Sequence, residues 1–213
     1  MNIVVFGAGG RAGRQAVAEA RRRGHQVTAV VRDPARHGDL TDARTVAGDV
    51  TDARGVAHVA AGHDAALSAA VDLSVPPYDF FTTSARALAT GLAQAGVRRL
   101  VVVGIASVLP GASGVPLMDE PGFPSEYRPL SLGHAAGLDE LRARDLDWAY
   151  VAPAGDFDHD GTRCGRYRIA DHADPTSRIT YADFALALLD EIDTPRHHRA
   201  VVGVREQSPT TPS

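Results

Sequence analysis

The chain has 213 residues, 44% of them hydrophobic and 23% charged, with a formal net charge of -4. That length suits one sizeable core, and the mildly acidic balance gives no electrostatic reason to expect nucleic acid or an anionic membrane as partner. No apolar run approaches the ~20 residues of a membrane span, Gly7 breaks the apolar start before a signal-peptide core forms, and the single Cys164 excludes an internal disulfide and a multi-cysteine zinc site, so a reducing cytoplasm is the expected location.

Asn2–Phe6 is a short apolar run rich in β-branched residues and reads as a buried parallel strand, ended by Gly7-Ala8-Gly9-Gly10. Helical spacing follows, with Ala12, Ala16, Val17 and Ala20 on one face, Arg21-Arg22-Arg23 where cations complement a helix C-terminus, and Gly24 as the stop. Gln26–Val31 is the second strand, completing a βαβ unit. A third strand is expected over 45–47, a fourth over 64–70, a helix over 80–95 ending at Gly96, and a fifth strand over 99–103. Residues 107–129 carry five prolines and read as loop; 135–144 reads as helix, 148–151 as the sixth strand, 183–192 as the last helix and 200–204 as the final strand. Alternating strands and helices predict one α/β domain over 1–205, a Rossmann-type doubly wound parallel sheet. Loops at about 107–134 and 154–180 form its small C-terminal acceptor-side region, and a disordered tail is expected at 206–213.

The chemistry begins at the glycine turn. Gly7, Gly10 and Gly13 form G-x-x-G-x-x-G, and Gly9 adds a G-x-G. A lone glycine motif says little, but this one follows a strand and opens a helix. In that context glycines let the backbone approach a pyrophosphate, and the helix N-terminus supplies N–H donors and a favourable dipole. Arg32 lies 19 residues after Gly13, where NAD-preferring domains place an acid on the ribose hydroxyls. An arginine there pairs with a 2′-phosphate, so NADP is expected over NAD, with Asp33, one position late, as the alternative ribose ligand.

The order and spacing of several segments resemble a known family. They are the glycine turn at 7–13, RRGHQVTAVVRDP at 22–34, AGDVTD at 47–52, RRLVVVGIASVL at 98–109, DLDWAYVAPAGDF at 145–157, GTRCGRYRI at 161–169 and ITYADFALALLDEIDTPRHHR at 179–199. Together they resemble the atypical short-chain dehydrogenase/reductases of the NADH-flavin reductase group, related to NmrA-like and biliverdin-reductase-B-like proteins. The resemblance implies that Gly7, Gly10, Arg11 and Ala12 hold the pyrophosphate and that Arg32 meets the 2′-phosphate. It implies that Asp49 and Val50 edge the adenine, and that Ser68 and Ala69 back the ribose. Gly104, Ile105, Ala106 and Ser107, with Pro153 and Ala154, would line the nicotinamide pocket.

The wider superfamily uses a Tyr-x-x-x-Lys relay with an upstream serine, and here the chain departs from it. All 22 basic residues are arginine, so no tyrosine has a lysine four residues on, and neither a lysine Schiff base nor a phosphate-loop lysine is possible. Ser107 remains as a candidate for the serine position and His134 as a candidate proton donor, the alternative being a capping or exposed histidine at a helix start. Without the relay, carbonyl chemistry lacks its positioned acid, whereas hydride transfer to a flavin or similar planar acceptor needs mainly proximity and orientation. Met118, Phe123, Tyr127 and Phe157 are the candidate acceptor wall, or else a local core under the loops. Trp148 reads as core. Asp156, Asp158, His159 and Asp160, and likewise His197-His198, read as solvated rather than metal-binding.

The expected function is therefore an NAD(P)H-dependent reductase of a flavin, quinone or similar conjugated acceptor. Its coenzyme is NADP, or alternatively NAD, and a flavin is a candidate substrate. A dinucleotide-responsive regulator without catalysis, and a pathway-specific reductase or isomerase of secondary metabolism, are the competing readings. The expected partner is a small-molecule acceptor, and the chain is a monomer or homodimer.

Overall fold

Strand β1 (Asn2–Phe6) is buried at every residue after the first, which is why its apolar run is continuous rather than alternating. A computed structural model describes residues 1–40 and 43–207. β1 pairs in parallel with β2 (Gln26–Val31) on one side and β4 (Ala65–Ser68) on the other. β3 (Arg44–Ala47) flanks β2, and β5 (Arg99–Val103), β6 (Asp147–Pro153) and β10 (Ala200–Glu206) continue beyond β4. The sheet closes on an antiparallel edge strand, β8 (Tyr167–Ala170), giving eight strands in the order β3-β2-β1-β4-β5-β6-β10-β8. The order reverses between β1 and β4, and such a switch point opens a crevice at the strand C-termini.

Helices cover both faces. α1 (Arg11–Arg22) and α5 (Tyr181–Asp193) pack on one face, where Ile3, Val5, Val17, Phe184 and Leu188 are buried together. α2 (Ala53–Ala60), α3 (Pro77–Ala95) and α4 (Arg128–Arg142) cover the other, over Val4, Phe6, Leu100, Trp148 and Tyr150. Trp148 is core, as expected from its place within a strand. Among the described residues, no helix is long and apolar enough to cross a membrane.

Several boundaries correct the sequence reading. Helix α2 was not expected; its signal was Asp52, whose side chain caps Arg54 N–H. α4 begins at Arg128, seven residues earlier than its spacing suggested. Pro129 occupies the first turn, where proline is tolerated. Gly133, loop-like in sequence, is a contact point instead: a Cβ there would lie 2.8 Å from the Pro77 carbonyl oxygen of α3. The acceptor-side region 154–180 holds β8 and a separate parallel pair, β7 (Asp156–Asp158) with β9 (Arg178–Thr180). The expected tail starts later than 206, because Glu206 pairs with Tyr167; the rest of that tail, 208–213, lies outside the described residues.

Candidate functional site

The turn after β1 is shaped around an open helix end. Gly7 has φ +73°, in the region that favours glycine. The Gly7 and Ala8 N–H groups donate to the Val30 carbonyl at 3.1 and 3.3 Å, tying the turn to β2. Gly10 is the N-cap of α1; it makes no side-chain cap, and no acid stands in the first turn. Among the described residues, the first N–H donors and the positive end of the dipole therefore have no capping side chain and no acid in their own turn. A Cβ on Gly10 would touch only the Gly7 carbonyl oxygen, at 3.5 Å, whereas one on Gly13 would lie 2.1 Å from the same atom. Gly13 thus lets helix pack on strand, and Gly10 keeps the approach to the helix end clear. Ala12 is half-buried in the first turn, and the exposed Arg11 reaches His159 Nδ1 at 2.8 Å.

This helix end opens into a cleft of about 650 Å³ at the switch point. Gly7, Gly9 and Gly10 form its floor, Val31, Arg32 and His37 one wall, and Gly48, Asp49 and Val50 its far edge. The opposite wall is the loop after β4 and the start of α3: Ala69, Val71, Asp72, Val75, Asp79 and Phe80. Arg32 forms an ion pair with Asp72. Asp72 Oδ1 accepts from the Ser74 N–H and hydroxyl at 2.9 and 2.6 Å, and these bonds hold its carboxyl below the usual range, with Arg32 adding to the effect. Asp49 Oδ1 accepts from Thr51 N–H and hydroxyl in the same manner.

Sequence reasoning found the floor, Arg32, Asp49, Val50 and Ala69. It missed His37 and the rest of the β4–α3 wall. Two signals were present there: Asp72-Leu73-Ser74, a turn in which the carboxylate bonds its own downstream backbone, and Pro76-Pro77, a helix-start signal.

Further along the strand ends lies a second, much smaller space of about 30 Å³, bounded by Ser68, Ala70, Phe81, Val103, His134 and Tyr150. His134 is not at a helix start and not exposed, as the alternative reading had it. It lies inside α4, 8% exposed, with its ring 3.8 Å from that of Phe81. Burial pulls its pKa down to about 3, so the imidazole is neutral. Tyr150, also fully buried and pushed up by that burial, accepts the Ile105 N–H at 3.3 Å, and its oxygen lies 2.8 Å from His134 Nδ1. With Nδ1 as the unprotonated nitrogen of the neutral ring, the phenol donates to it. Gly104 is buried against the Tyr150 ring, where a Cβ would lie 2.0 Å from Cε1. Ser107 is 6% exposed in the 3₁₀ turn Ala106–Val108, and its hydroxyl has no partner among the described residues. Pro153 and Ala154 are buried at the end of β6, Ala154 N–H donating to the Val204 carbonyl at 2.7 Å.

The four residues expected to form an acceptor wall differ in burial. Met118 is buried, Phe123 half-buried and Tyr127 exposed. Phe157 stacks on Tyr181 at 4.0 Å and meets Phe184 edge-on, so it belongs to the core under α5. None of the four lines the cleft.

A doubly wound sheet with an uncapped helix N-terminus at its switch point defines a dinucleotide-binding α/β domain of Rossmann type. The chain belongs to the NAD(P)H-binding family, whose model matches residues 7–195. It is 35% identical over 208 residues to the uncharacterized protein YwnB of Bacillus subtilis, covering 92% of this chain and 94% of that one. A Streptococcus pneumoniae structure named "putative NADH-flavin reductase" superposes with TM-score 0.84 at 32% identity, covering 97% of this chain and all of the other. A Burkholderia pseudomallei structure named "putative exported protein" gives TM-score 0.85 at 35% identity, again over 97% of this chain and all of the other. These findings bear out the resemblance read from the ordered segments.

Proposed function

We propose that this protein is an NAD(P)H-dependent oxidoreductase that delivers hydride to a flavin, quinone or similar conjugated acceptor, with NADP(H) as the preferred coenzyme. The observation that carries the reading is the bare N-terminus of α1 opening into the switch-point cleft, beside a site whose buried titratable side chains are held neutral. Gly7, Gly9, Gly10, Arg11 and Ala12 hold the diphosphate, Gly13 keeps the helix close beneath it, and Arg32 takes the 2′-phosphate. Asp49 and Val50 edge the adenine, and Ser68 and Ala69 the ribose. Gly104, Ile105, Ala106, Ser107, Pro153 and Ala154 surround the nicotinamide.

The bound coenzyme supplies the hydride. The chain supplies position and a dry, apolar setting. Ser107 Oγ, buried with no partner among the described residues, is the donor for a coenzyme or acceptor oxygen. His134 acts through Tyr150, fixing the Ile105 amide, and is a positioning residue rather than the acid. A neutral imidazole with a pKa of about 3 does not deliver protons at neutral pH, and the chain has no lysine. A flavin or quinone takes its remaining proton from water, so the chemistry matches what the site offers. The name of the Streptococcus pneumoniae relative agrees with this reading.

NADPH oxidation with and without added flavin mononucleotide tests it. Acceptor-dependent oxidation is expected, and His134→Ala is expected to lower it less than about tenfold. No stimulation by any flavin or quinone overturns the proposal.

A further inference from the structure

Arg32 follows β2 and Asp72 follows β4, and β1 lies between those two strands. Their ion pair therefore bridges opposite walls of the cleft whose floor is the glycine turn. The two partners are unequally held. Asp72 is 18% exposed and anchored by both Ser74 bonds through Oδ1, leaving Oδ2 for Arg32. Arg32 is 69% exposed and has Asp72 as its ion-pair partner among the described residues. Arg32 is the more exposed and less anchored partner, and Asp72 the more firmly held one.

The other charged or titratable groups lining the cleft are Asp49, Asp79 and His37. His37 is bonded to Arg14, which is itself paired with Asp39. Arg32 is thus the one arginine among the described residues lining the cleft, and Asp72 already engages it.

We propose that Asp72 sets the coenzyme preference by competing with the adenosine 2′-phosphate for Arg32. The proposal rests on the assignment of Arg32 to that phosphate. A 2′-phosphate carries nearly two negative charges and three acceptor oxygens, so it draws Arg32 away from the carboxylate but must then sit near Asp72. NAD(H) presents a hydroxyl at the same place and leaves the ion pair intact. The carboxylate therefore weakens binding of the phosphorylated coenzyme alone. Asp72 is a specificity residue supplied by a loop remote in sequence from the β2 end.

Asp72→Asn removes the charge and keeps an oxygen for the Ser74 turn. NADPH and NADH are titrated by coenzyme fluorescence on the parent, Asp72→Asn, Arg32→Ala and the double variant, each checked by thermal melting. Asp72→Asn is expected to tighten NADPH about fivefold and to change NADH less than about twofold. In the Arg32→Ala background the gain is expected to shrink below about twofold. An unchanged NADPH/NADH ratio, or an undiminished gain without Arg32, overturns the proposal. If Asp72→Asn does not fold, Asp72→Ser serves with the same expected shift. The preference for NADP(H) is read separately, on the parent: equal affinities there defeat that assignment, while a ratio that moves on Asp72→Asn still supports the competition.

Discussion

His134 looks in sequence like a proton donor and behaves in the fold like a packing and hydrogen-bonding residue. Its imidazole lies against Phe81 and accepts from Tyr150, and burial lowers its pKa from 6.5 to about 3. The unfolded chain protonates this histidine below about pH 6.5 while the folded chain does not. Stability is therefore complete above that pH and lost as pH falls from 6.5 toward 3, at up to ~1.4 kcal/mol per pH unit. Urea unfolding at pH 6.5 and 5.5 is expected to show a steeper loss for the parent than for His134→Asn. Equal slopes would mean that His134 is charged or exposed in the folded protein. At Gly10 the expectation differs. A side chain fits the folded turn, since a Cβ meets one atom at 3.5 Å, but it occupies the approach to the helix end. Gly10→Val should melt within about 2 °C of the parent and bind coenzyme more than tenfold more weakly. Unchanged affinity would make the turn purely structural. The glycine floor was legible because a tight turn and close backbone approach select one residue type locally. Asp72 was not, because its meaning lies in a partner on a different strand.

Among the elements, the central strands and the longer helices could be read from sequence, and α2 and the short strands β7, β8 and β9 could not. The alternation of strands and helices predicted the doubly wound sheet, while the strand order that makes the switch point, and the cleft there, came from the structure. β7 and β9 have three residues each, too few for a period to emerge. The start of α4 was hidden by Pro129 and Gly133, residues that mark loops unless a neighbouring helix needs close approach. Helix α5 carries its own start signal, and the fold uses it twice. Thr180 caps the Asp183 N–H at 3.0 Å, and Asp183, fully buried, accepts from the Thr180 hydroxyl. The same carboxylate accepts the Cys164 and Gly165 N–H groups at 2.9 and 2.7 Å, tethering the loop that leads to β8. Asp183→Ala leaves these donors unpaired and should cost about 2–3 kcal/mol, or roughly 5–10 °C in melting temperature. Limited proteolysis should cut near Cys164 faster in the variant. An unchanged melt and unchanged cleavage would show that water replaces the carboxylate there.

At the scale of the whole molecule, one half of the sheet carries the switch-point cleft and the other the buried His134–Tyr150–Ile105 chain, and β1 and β4 meet between them. The open helix end calls for an anion, and the neutral interior beside it offers orientation without proton delivery. Hydride transfer to a conjugated acceptor matches both, and reduction of a simple ketone does not, because its oxygen needs an acid in the transition state. Rapid mixing of NADPH-loaded protein with a panel of flavins, quinones and simple carbonyls measures this directly. Single-turnover oxidation of bound NADPH by flavins or quinones, with simple ketones near background, is the predicted result. Fast carbonyl reduction with inert flavins, or tight NADPH binding with no oxidation by any acceptor, would contradict it.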